Sequence, residues 1–200
     1  MSAPTTATTT KSSLDVTTRF LHLGLAVFGI WAWLIGSGWI GAGARDYDHV
    51  DHTWYIQHRW VGITFTVFLL LRIVWGLVGP ASARFTHWVP WNRARFKAVI
   101  EDVRSLLHFR FPLRETHVGI AGLVQALGLL VFLWIALSGV CNAFAITPGE
   151  KLTGHWLRLI KHYHQIGDVL IPLYLVLHIG GAVAHSIAGK QVWKKMLFLE

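Results

Sequence analysis

Histidine is over-supplied in this sequence, with 12 in 200 residues, and two of them are spaced for a shared task. His164 and His178 stand fourteen positions apart within one apolar stretch. Fourteen residues of α-helix turn through roughly 1400°, about 40° short of four whole turns, and rise about 21 Å. Both imidazoles therefore leave one helix face at two levels. Neutral imidazole is a strong nitrogen ligand for iron, and two of them close both axial positions of a haem, which favours electron transfer over oxygen binding. Two such levels on one helix are the geometry expected of two haems in a bundle. The alternative for any single histidine is a hydrogen bond to a neighbouring helix, but an ionisable side chain inside lipid is by default a functional hypothesis.

That helix has to be held by others, and the composition says in which solvent. Hydrophobic residues make up 54% and charged residues only 14%, against roughly 25% charged in a soluble domain. Four apolar stretches, near 19–40, 58–78, 118–140 and 166–187, are long enough to cross a bilayer as helices, which takes about 20 residues. The expected fold class is an all-α integral membrane protein, a four-transmembrane-helix bundle with two b haems in its core. The 11 Trp suit anchoring at two membrane interfaces. A net charge of +8 reads as basic cytoplasmic loops rather than as a nucleic-acid surface. The single Cys141 excludes an internal disulfide and a four-Cys cluster held by this chain alone. Residues 1–17 read as a mobile, Ser- and Thr-rich tail, and 18–200 as one membrane domain.

Loop charges set the orientation. Asp46, Asp48 and Asp51 crowd the first connection, whereas the second carries Arg84, Arg93, Arg95, Lys97, Arg104, Arg110 and Arg114. The positive-inside rule places the second connection and both termini in the cytoplasm, with Lys151, Arg158 and Lys161 of the third connection as a modest conflict. Within the second connection, 91–108 has apolar Phe96, Val99, Ile100, Val103, Leu106 and Leu107 at helical intervals. It is expected to be an amphipathic helix on the cytoplasmic surface.

This topology brings two more histidines to the two levels. His58 opens the second helix at its outer end, and His22 lies about one turn inside the first. His58 therefore matches His164, and His22 matches His178. His162 is sixteen residues from His178, roughly 160° out of phase, and points away. His155 falls in the third connection. His49, His52, His87 and His108 read as solvated loop or surface residues, and His117 has no partner. His185, two turns beyond His178, suits a haem propionate, a quinone or the surface equally well. Gly62, Gly167 and Gly181 follow ligands by three or four positions, on the faces where a flat porphyrin would meet a side chain; helix packing through small residues is the alternative. Arg72 is the one cation well inside a span, on nearly the same face as His58. A haem propionate is a natural partner, and snorkelling to the interface is the alternative. Arg19 and Arg59 are weaker candidates of the same kind. Gln125 suits a quinone or a helix–helix hydrogen bond.

The stretches RFLHLGLAVFG at 19–29, HRWVGITFTVFLLLRIVW at 58–75 and HQIGDVLIPLYLVLHIGGAVAH at 164–185 resemble the bacterial cytochrome b561 family, which includes cytochrome b subunits of nickel–iron hydrogenases. The resemblance implies four helices in the bacterial inner membrane and two haem b groups on His22, His58, His164 and His178. It also implies electron exchange with the quinone pool. The stretch 116–139 resembles a subgroup that often accompanies periplasmic c-type cytochromes, although His117-Val118-Gly119-Ile120-Ala121 stand where that subgroup has a His-Asn-Pro-Leu-Gly motif. The expected function is transmembrane electron transfer between quinone and a periplasmic redox protein. Alternatives are a superoxide:quinone oxidoreductase acting alone, the anchor of a hydrogenase or other dehydrogenase, and a scaffold without redox activity.

Overall fold

In the computed structural model the described residues are 15–41, 52–110, 112, 118–148, 152–189 and 192–199. They form eight helices and no strand: α1 (Val16–Gly36), α2 (His52–Val78), α3 (Phe85–Trp88), α4 (Arg93–Leu107), α5 (Ile120–Ala145), α6 (His155–Gln165), α7 (Gly167–Ile187) and α8 (Val192–Met196). Four runs are long and apolar enough to span a bilayer: α1, α2, α5, and α6 with α7 taken together. The four-span, all-helical architecture is the one read from hydropathy.

Several boundaries differ, each for a local reason. Asp15 caps α1 by accepting from Thr18 N at 2.8 Å and Thr18 Oγ1 at 2.7 Å. Asp15 to Thr17 thus belong to the first helix and its cap rather than to a tail; residues 1–14 lie outside the described set. At its far end α1 stops at Gly36, because Ser37 closes it and Gly38 turns to a positive φ of 77°. The second helix begins at His52, so His52 is helical rather than in a loop. The fourth span is interrupted at Ile166, which keeps α-region angles (φ −56°, ψ −26°) and lets the axis continue from α6 into α7. Pro172 sits one turn into α7 and withdraws one backbone donor there.

The bundle is two hairpins. In the first, α1 packs along α2, and Trp75 Nε1 donates to Asp15 Oδ1 at 3.0 Å, tying the start of α1 to the end of α2. The second joins α5 to α6 and α7. The hairpins meet where α2 lies on α5, around Phe65, Leu69 and Ala136. Phe20, Val27, Leu71, Val74, Leu130 and Val176 are exposed on the outside of the spans, the arrangement of a fold whose solvent is hydrocarbon.

Of the stripe expected on α4, Val99 is buried; Phe96, Ile100, Val103, Leu106 and Leu107 are exposed. The helix docks on the protein through Ala98, Val99 and Asp102. Asp102 Oδ2 accepts from Ile120 N at 3.0 Å, so α4 caps the start of α5. Gly119, at φ 71°, lets the chain turn in against that carboxylate.

Candidate functional site: two histidine pairs

The structure brings the four histidines together in two pairs, one imidazole from each hairpin. His58 of α2 faces His164 in the last turn of α6, with ring centroids 5.9 Å apart. His22 of α1 faces His178 of α7 at 6.1 Å. Iron held at roughly 2 Å by one nitrogen of each ring places the ring centres about 6 Å apart. Among the described residues no three His, Cys, Asp or Glu side chains converge on one point. A bare ion would lack donors at either pair, whereas a macrocycle supplies four in-plane nitrogens of its own. The donor set therefore fits haem.

Neighbouring helices set the direction of each ring. His58 Nδ1 donates to the Ala32 carbonyl at 2.9 Å, which leaves Nε2 with its lone pair for a metal. His164 Nδ1 lies 3.1 Å from Ser138 Oγ, which is itself 2.9 Å from the Trp134 carbonyl. The hydroxyl proton goes to the carbonyl, so the oxygen accepts from His164 Nδ1–H and again frees Nε2. Two glycines make room for these rings: a Cβ at Gly36 would lie 2.8 Å from His58 Cε1, and one at Gly139 would lie 2.9 Å from His164 Cε1. In the other pair Tyr174 stacks on His178 at 5.3 Å and 15° between planes.

About 1120 Å³ of atom-free space, including an open mouth, adjoins the His58–His164 pair. Gly62 lines it, and a Cβ there would meet nothing within 4 Å among the described residues; Gly181 on α7 is equally open. Gly167 also lines the cavity, but its missing side chain is filled by Ile135, whose Cδ1 would be 3.2 Å from a Cβ. Close packing of α7 on α5 accounts for it.

The other residues singled out in the sequence divide. Arg72 places its guanidinium 5.6 Å from the Phe85 ring and 5.9 Å from that of Trp88, and its buried Nη1 makes no hydrogen bond to any described residue. Lys161, expected in a connection, is buried on α6 and lines the cavity. His155 and His162 are exposed on α6, as are His87 and His108 near α4, while His185 is half-buried near the end of α7. His49 and His117 lie outside the described residues. Sequence reasoning missed Ser138, Gly36, Gly139 and Tyr174. The available signal was small and hydroxylic residues on helices that carry no ligand at that level.

A helical membrane bundle with two stacked bis-histidine seats is the architecture of a membrane cytochrome b. Residues 13–198 match the family model described as prokaryotic cytochrome b561, and the chain belongs to that family. It is an electron-transfer protein of the membrane, and the family implies haem b. A curated relative, the "Probable Ni/Fe-hydrogenase B-type cytochrome subunit" of Rhizobium leguminosarum bv. viciae, is 27% identical over 150 residues, covering 67% of this chain and 62% of the relative. The match thus spans less than two thirds of that protein. No solved structure matches.

Proposed function

We propose that the chain carries electrons across the bacterial inner membrane between the quinone pool and a redox protein on the periplasmic side, through two haems b. The reading rests above all on the two imidazole pairs at 5.9 and 6.1 Å. When bound, each haem iron supplies one-electron chemistry by cycling between ferric and ferrous states. His58 with His164, and His22 with His178, would hold the two irons. A pair of imidazoles at each site would favour electron transfer over binding of a small molecule. The Ala32 carbonyl and Ser138 fix the tautomers in one pair. Gly62 and Gly181 keep a side chain off the porphyrin faces, and Arg72 offers its Nη1 to a propionate of the His22–His178 haem.

The orientation that follows from loop charge puts the second connection, α4 and both termini in the cytoplasm. The exposed apolar side chains of α4 then lie in the lipid surface. The His58–His164 seat is the one nearer the periplasm. A second reading, anchorage of a hydrogenase, draws on the relative's name; co-purification of an iron–sulfur subunit would favour it.

The test is a pyridine haemochrome count on the purified protein. Two haems per chain are expected, with one lost in His164→Ala and the other in His178→Ala. A single haem in the unmodified protein, or a variant of either histidine that keeps both, would refute the scheme.

A further inference from the structure

Three buried polar atoms near the His58–His164 pair make no hydrogen bond to any described residue: Trp33 Nε1, Arg59 Nε and Asn142 Oδ1. They come from α1, α2 and α5, and all three residues line the one cavity. A buried donor left without an acceptor is destabilising, and more so when it is charged. The two donors are also held in place. The Trp33 ring packs on Trp39 at 6.4 Å, and the Arg59 guanidinium lies over Phe144 at 5.9 Å.

An indole N–H and a guanidinium in one wall select a particular chemistry. Both only donate, and one is cationic, so their partner is an anionic acceptor. A carboxylate matches, with two oxygens able to take a charge-assisted bond from arginine and a neutral one from indole. Asn142 Oδ1 is an acceptor and cannot serve a carboxylate, which leaves the α1–α2 wall as the anion's side. Lys161 and Asp168 also line the cavity with opposite charges, and each has an interaction partner of its own, Asp168 being close enough to act on His58.

We propose that Trp33 and Arg59 bind a propionate carboxylate of the haem seated at His58 and His164. The inference rests on the reading that this cavity holds a haem, and it adds the residues that receive the porphyrin's charged edge.

The test uses the whole purified cytochrome in detergent. Arg59→Gln, Arg59→Lys and Trp33→Phe are compared by haem count, by the resonance Raman propionate bending band and by redox titration. Haem content of two is expected in all three. The propionate band moves in Arg59→Gln and in Trp33→Phe. The potential of the haem that His58→Ala removes falls in Arg59→Gln, because loss of a cation favours the ferric form, and it recovers in Arg59→Lys. The other haem keeps its potential. An unchanged band and potential in both Arg59→Gln and Trp33→Phe would overturn the proposal. Should Arg59→Gln fail to accumulate, Trp33→Phe decides through the band, since it removes one N–H and no charge. A haem count that His58→Ala leaves unaltered would instead refute the haem reading of the cavity, so the two failures are distinct.

Discussion

Replacing Ser138 by alanine isolates one contact behind one ligand. The hydroxyl accepts from His164 Nδ1–H at 3.1 Å. Its removal leaves a buried N–H short of an acceptor, at a cost of about 1–3 kcal/mol. At 1.4 kcal/mol per decade that corresponds to roughly 5- to 150-fold in affinity, a range that brackets the 10–100-fold usual for groups behind a metal ligand. The lower end of that range gives about tenfold faster haem loss from the His58–His164 seat. The assay is transfer of haem to excess apomyoglobin, followed by visible absorbance. One of two phases accelerates in Ser138→Ala, and Ser138→Thr restores it. Two phases at the unmodified rates, or equal acceleration of both, would refute the hydrogen-bond argument.

Other expectations follow from the same geometry. Gly139→Ala and Gly36→Ala each drive a methyl to within 3 Å of a ligand ring. Overpacking of this kind costs about 1–3 kcal/mol; each variant should alter the low-spin EPR signal of the His58–His164 haem and leave that of the other haem as it was. Asp102→Ala removes the cap that α4 provides for α5, a loss of about 0.5–2 kcal/mol. Thermal unfolding should fall by about 2–4 °C per kcal/mol, with Asp102→Asn, which keeps an acceptor, lying between. Tyr174→Leu removes the ring stacked on His178. It should change the spectrum of the haem that His178→Ala eliminates and no other, and a change confined to the other haem would exclude the stacking role.

The spans were legible because each depends on one helix at a time, and the two histidine pairings because helical pitch and the topology set by loop charge place their depths. Hydropathy marks a helix that must face lipid, and the fourteen-residue step from His164 to His178 needs only helical pitch. That step survives the interruption at Ile166, since this residue keeps α-region angles. What surrounds the ligands was not legible. Gly36 and Gly139 sit on α1 and α5 while the rings they admit come from α2 and α6, and no periodicity within a helix reports how two helices rotate against each other. The apolar stripe on α4 was read as facing the membrane surface, and Phe96, Ile100, Val103, Leu106 and Leu107 are exposed; what the sequence did not reveal is that Ala98, Val99 and Asp102 form the side packed on the protein.

Each seat takes one imidazole from the α1–α2 hairpin and one from the α5–α7 hairpin, and between these halves the main direct contact is α2 on α5. Two porphyrins would act as rivets through a seam. Beyond the α2–α5 contact, bound cofactor would lock the halves together. A cell short of haem would then hold a chain that has been inserted but not closed, with α1 and α7 free to part and open to proteolysis. Cofactor supply would thereby set how much of the cytochrome persists.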